Sequence, residues 1–199
     1  MTDEQKRRMG EILGSYDSFA YLASNNDWID VGYKYINAPI DTDSNHHLNF
    51  IAVDFEKGFV EKHFDEAIVQ MMIMFISVAE DWSPHDGWKN MTVQERMESF
   101  EKARYLYEGY VGSPEVWALD EEMSPQEFEG NVFTCCKNWD RSYIESKIPD
   151  EAKAMLERFS GGRHFRLGNA QGNFCGLYTG WLAVNEDSFL FVYYYYGWG

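Results

Sequence analysis

The sequence predicts an α+β domain: an antiparallel sheet built from an N-terminal hairpin and C-terminal strands, packed by helices, with an acidic helical mid-region. Three observations predict it. Apolar residues alternate at period two near both ends of the chain, which is the mark of half-buried strands. Between those ends the apolar period lengthens to that of a helix, and helix-start chemistry recurs. Finally, 199 residues with 45% hydrophobic and 17% aromatic content supply one sizeable core, read as a single domain over residues 1–199. No solenoid-length repeat, low-complexity tract or linker divides it.

From the N-terminus, residues 3–23 place Met9, Ile12, Leu13, Tyr16, Phe19 and Ala23 at helical spacing, weakened by Gly10 and Gly14 and stopped by Asn25-Asn26-Asp27. Residues 28–36 alternate Ile29, Val31, Tyr33 and Tyr35 with polar neighbours, as a strand does. Residues 37–45 contain Pro39, two Asp and a Ser, and read as a loop. A second strand over residues 47–55 puts Ile51, Val53 and Phe55 on one face and completes an antiparallel hairpin with a long tip. After Gly58, residues 61–80 read as a long helix lying across the sheet, its apolar face carrying Phe64, Ala67, Ile68, Met71, Met72, Phe75 and Val78. The inner run Met71-Met72-Ile73-Met74-Phe75-Ile76 also fits a strand. Residues 82–90, with Pro84 and Gly87, form a loop.

Three helix starts follow from local chemistry. Thr92-Val93-Gln94-Glu95 is a capping box, in which hydroxyl and carboxylate each satisfy a free amide of the first turn. Ser113-Pro114-Glu115 and Ser124-Pro125-Gln126-Glu127 place Ser at the cap and Pro at the first helical position, with acid close behind. A last helix spans residues 150–159 and is closed by Ser160-Gly161-Gly162. Strands then follow over residues 163–167, 174–184 and 189–198, separated by a Gly/Asn turn and a polar hairpin turn. The aromatic run Phe191–Tyr196 suits a central strand covered on both faces.

Charge narrows the function. The chain holds 33 Asp and Glu against 17 Lys and Arg, a formal net charge of -16. Residues 105–136 carry Glu108, Glu115, Asp120, Glu121, Glu122, Glu127 and Glu129 with no Lys, Arg or His. Such a field attracts basic proteins and repels nucleic acid and anionic membrane surfaces. Part of the cluster is helix-start chemistry, and a charge run is also what a solvated face looks like. Trp117 lies inside the stretch, where an aromatic ring ringed by carboxylates would anchor a cationic partner. These eight residues, Trp117 and the seven acids, form the expected partner-binding site, with neither nucleic acid nor membrane bound directly.

Catalytic signatures are weak. Among the five histidines, His46 and His47 are adjacent and point to opposite faces of a strand, so they do not share an ion. His63 and Glu66 have the i, i+3 spacing of carboxylate-bridged metal sites, but no second such pair exists. Cys175 with His164 is the nucleophile–base pair to test, and vicinal Cys135-Cys136 reads as the interior of a helix rather than a redox pair. The glycine-rich segments near Gly161 and Gly168 lack the Lys-Ser/Thr of a phosphate loop. No cofactor or metal is expected. The longest apolar stretch, residues 67–79, is too short to span a bilayer, and an odd cysteine count without Cys-x-x-Cys spacing fits a reduced, cytoplasmic setting. The opening Met-Thr-Asp-Glu-Gln-Lys-Arg-Arg leads into no apolar run, so no signal peptide is read there.

In size, acidity, aromatic richness and lack of a catalytic signature, the chain resembles bacterial toxin-immunity proteins. The likeness implies tight stoichiometric inhibition of a cognate toxin, of which a basic nuclease is one kind, by covering its active site. It carries over no family residue. Two other expectations stand beside it: a DNA-mimic or phage anti-defence protein that competes with DNA for a nucleic-acid-binding enzyme, and a metal- or thiol-dependent hydrolase using His63, His164 or Cys175.

Overall fold

The computed structural model describes residues 33–41, 43, 45–55, 57–62, 92, 94–95, 119–167 and 176–197. They form a six-stranded antiparallel sheet with helices packed on it, the α+β arrangement expected. In chain order the elements are β1 (Tyr33–Asp41), β2 (His46–Asp54), α1 (Phe59–Lys62), β3 (Leu119–Met123), α2 (Pro125–Phe133), α3 (Arg141–Lys147), α4 (Asp150–Arg158), β4 (Arg163–Leu167), β5 (Gly176–Val184) and β6 (Ser188–Gly197). Across the sheet the order is β1-β2-β6-β5-β4-β3, so the N-terminal hairpin and the C-terminal strands meet at β2 and β6.

Both faces of the central strands are buried, which is why their sequences are continuously apolar. On the first face, Ala38, Ile40, Leu48, Phe50, Trp181, Ala183, Leu190 and Val192 meet the helical layer through Phe128, Val132, Ile144, Ala152, Met155 and Phe159. Helix α4 supplies Ala152 and Met155, and its C-cap Phe159, at the spacing of one helical face. On the second face, Ile51, Val53, Leu182, Phe189, Phe191, Tyr193 and Tyr195 are also buried. Phe55 stacks on Phe59 of α1 at 5.4 Å and meets Phe189 edge-on at 5.3 Å, closing one end of that face.

The structure departs from the sequence reading in four places. Residues 37–41, expected in a loop, continue β1; the tip of the hairpin is only the turn between Asp41 and His46. Pro39 is tolerated because β1 is an edge strand among the described residues, where a missing N–H costs little, and a register shift follows it. Ala38 and Ile40 are buried on either side of exposed Pro39, the period of a strand rather than a loop. Asn45 sits at φ 53°, a left-handed conformation that Asn accepts in a tight turn. Second, the acidic segment Leu119–Met123 is not part of the helical layer: it forms β3, paired antiparallel with β4, where Glu121 stands opposite Arg166. Third, α3 was not legible; it is started by Asp140, whose carboxylate accepts from the Tyr143 amide at 2.8 Å. Fourth, Cys135 and Cys136 lie past the end of α2, which closes at Thr134, instead of inside a helix.

The capping box predicted at Thr92 forms, and the helix start predicted at Ser124 forms with a second capping box. The Thr92 hydroxyl accepts from the Glu95 amide and the Glu95 carboxylate accepts from the Thr92 amide at 2.6 Å. Ser124 and Glu127 do the same at the start of α2. The helix expected over residues 61–80 is described only at its start, in α1; its remainder, the expected helix of residues 3–23, the loop of residues 82–90 and the Ser113 helix start lie outside the described residues.

Candidate functional site

Of the expected partner-binding residues, Glu108, Glu115 and Trp117 lie outside the described residues. Asp120, Glu121 and Glu122 lie on β3, and Glu127 and Glu129 follow at once on α2. The fold therefore brings five carboxylate residues onto two consecutive elements at one edge of the sheet.

Three of these carboxylates have partners inside the chain. Arg163 donates to both oxygens of Glu122, at 2.9 and 3.0 Å, a bidentate pair that holds the carboxyl below its usual range. The Ser124 backbone and hydroxyl hold Glu127 low in the same way. Arg141 donates to Glu129 at 2.5 Å and to Glu145 at 2.5 Å, so one guanidinium bridges α2 and α3. The Arg141 and Arg163 side chains are about half exposed, as are the acids they meet. Exposed pairs of this kind are worth roughly 0–1 kcal/mol, so they do not lock the carboxylates away from a competing cation.

Behind this edge, α2 and α4 leave a groove of about 670 Å³. The helical repeat explains its lining. Gln126, Glu129 and Phe133 fall on one side of α2, while Lys153, Leu156 and Glu157 fall on one side of α4 and Ser160 follows its end. Glu145 stands at the lip and His164 of β4 at the base, against the Phe128 ring at 4.6 Å. His164 is 2% exposed, and among the described residues its Nδ1 has no hydrogen-bond partner. Burial pushes its pKa below the usual histidine value, against the opposing pull of the Phe159 and Gly162 backbone and of Glu122, so the ring is neutral near pH 7.

His46 and His47 face opposite sides of β2, as their adjacency requires. His46 stacks on Tyr196 at 4.3 Å, meets the Trp139 edge at 4.8 Å, and bonds through Nδ1 to the Tyr194 hydroxyl. Trp139 is thus half-buried packing between His46 and Tyr143. On the other side, Asn49 accepts from Tyr35 at 2.8 Å and from Asn37 at 2.7 Å, and His47 bonds to Asn37 and Asn45. Burial lowers both histidines, and for His47 the neighbouring His46 adds to it.

For the chemistry of a hydrolase the described residues offer little. His63 and Cys175 lie outside them. Burial pushes the Cys135 thiol up to about 12, leaving it protonated and unreactive at neutral pH. No group of three or more His, Cys, Asp or Glu poised to hold a metal occurs among the described residues. No described helix is long and apolar enough to cross a membrane.

Nothing matches the chain. Neither a protein-family model, nor a curated protein, nor a solved structure is similar to it. Sequence reasoning missed Arg141, Arg163 and the α2–α4 groove. Nothing local marks Arg141 or Arg163 as partners of acids elsewhere in the chain, and the groove had no signal because it depends on how two helices splay.

Proposed function

We propose that the protein acts by binding: it is a non-catalytic inhibitor of a basic protein, of the immunity-protein kind, engaging its target through the acidic edge formed by β3 and α2. One observation carries this. Asp120, Glu121 and Glu122 lie on β3 and Glu127 and Glu129 on α2, the two elements following one another at one edge of the described sheet, in a chain whose net charge is -16. A field of that sign speeds encounter with a cation-rich surface and orients it, while half-exposed ion pairs with Arg141 and Arg163 can be exchanged at little cost. The target is a toxin or a nucleic-acid-binding enzyme, whose substrate groove the inhibitor would cover.

The experiment is co-purification from source cells at low and at high salt, followed by assay of what is retained. A single basic protein held at one-to-one stoichiometry, whose toxic or nuclease activity disappears on adding this chain, supports the proposal. Turnover of any substrate by the chain alone, or no basic protein retained at low salt, contradicts it.

A further inference from the structure

We infer that His164 is an acid-sensitive latch, and that charging its ring weakens the docking of α2 on the sheet. The inference stands on the packing of this one side chain and does not depend on the binding proposal above.

The latch sits where β3 gives way to α2. Met123, the last residue of β3, is the register partner of His164, and the α2 cap Ser124 follows at once. From α2, Phe128 covers the imidazole with 4.6 Å between ring centres. Phe128, Val132 and Phe133 are the buried residues of α2, so the Phe128–His164 contact is a main part of what holds this helix down.

The ring nitrogens decide how each histidine responds to a proton. An imidazolium carries N–H at both nitrogens, whichever tautomer it came from, so both need acceptors. His47 has them: its Nδ1 and Nε2 face Asn37 Oδ1 at 3.2 Å and Asn45 Oδ1 at 2.9 Å. His46 has the Tyr194 hydroxyl at its Nδ1. At His164, Nδ1 is buried and has no partner among the described residues. A charged ring would therefore place an unanswered N–H beneath Phe128, which is costly. Parting α2 from β4 lets water reach Nδ1 and removes that cost.

The charges around the ring favour the parted form. Glu122 of β3 draws the ring toward its charged state, though Arg163 of β4 already holds that carboxylate. In the groove above, Glu129 of α2 and Glu145 of α3 meet Arg141, while on α4 Lys153 lies near Asp150 and Glu157 completes the lining. Burial outweighs these acids while α2 is docked and keeps the ring neutral. Protons then bind the parted form in preference to the docked one, and acid moves the balance toward parting. A histidine that titrates at its ordinary 6.5 only when parted raises the opening constant about 25-fold between pH 7 and pH 5.

The test is amide hydrogen exchange of the full chain from pH 4.5 to pH 7, corrected for the intrinsic chemical rate and read at the Phe128 and Val132 amides of α2. The opening constant is expected to rise roughly 25-fold from pH 7 to pH 5, with its onset near 6.5, and to stay level in His164→Gln, whose amide cannot charge. A level response in the parent, or the same rise in His164→Gln, overturns the latch. If His164→Gln does not fold, the parent decides through the Cε1–H signal of its own His164. An onset near pH 6.5 while the docked ring is still neutral supports the latch. A ring that charges with no change in α2 exchange, or exchange that rises only below pH 5 where carboxylates take up protons, overturns it.

Discussion

Replacing Gly162 with alanine probes how tightly the helical layer is joined to the sheet. A Cβ at Gly162 would lie 2.4 Å from the Val184 carbonyl oxygen and 2.5 Å from Asn185 Oδ1. Both distances are far inside the roughly 3.5 Å at which non-bonded atoms stop repelling. Neither neighbour gives way freely. Val184 is the last residue of β5, and Asn185 closes the β5–β6 turn through its amide to Ser188 at 2.9 Å and reaches the Arg158 carbonyl with its side chain at 3.3 Å. Overpacking of this kind costs about 1–3 kcal/mol, and the lost Asn185–Arg158 bond about 1 kcal/mol more. For a chain of this size, a loss of about 3 kcal/mol lowers Tm by roughly 6–12 °C. Gly161→Ala is the matched control: its Cβ meets nothing within 4 Å, so Tm stays level or rises slightly through reduced freedom of the unfolded chain. Differential scanning calorimetry of the two variants reads the difference. Equal Tm values for Gly162→Ala and the parent, or an equal loss in Gly161→Ala, would refute the close approach of the α4–β4 connection to β5.

Further outcomes follow from the caps and the titrating groups. Gly130→Ala, in the interior of α2 with no atom within 4 Å of the added carbon, raises stability by about 0.5–1 kcal/mol in urea unfolding. Ser124→Ala removes the α2 cap and lowers stability by about 1 kcal/mol in the same assay. His46, His47 and His164 all have folded pKa values below the unfolded 6.5, so the unfolded chain binds protons more readily; the stability they contribute is full above about pH 6.5 and is lost as pH falls through the folded values. Histidine Cε1–H titrations by NMR give midpoints below 6.5 for these three if this holds, and a midpoint at or above 6.5 for His164 contradicts its burial as a neutral ring. Iodoacetamide alkylates Cys135 in the folded protein far more slowly at pH 8 than in urea, since its thiol is held near 12.

The parts of the fold that were legible are those where one face or both faces of a strand must be buried. The aromatic run of β6 demanded a central strand, and β6 lies between β2 and β5. Capping chemistry was equally direct, because Ser124 and Glu127 act within one turn and need no distant partner. What could not be read depended on long-range pairing. Leu119-Asp-Glu-Glu-Met has poor strand propensity, and it pairs as β3 with β4, where Arg163 bonds Glu122 from 41 positions away. Pro39 spoke for a loop, and only its place on an outer strand makes it compatible with β1. At the site, the clustering of acid was visible, but the intrachain cations that answer Glu122 and Glu129 were not, since nothing local marks Arg163 or Arg141 as their partners.

The account turns on whether the β3–α2 edge steers a cationic protein. The most direct measurement is the association rate of the basic protein recovered by co-purification, at low and high ionic strength, for the parent chain and for Glu121→Lys/Glu122→Lys, with Tm confirming the fold. Steering predicts an on-rate that falls steeply with salt in the parent, and roughly tenfold or more slower association with a flatter salt response in the variant. Identical on-rates at low salt would contradict it.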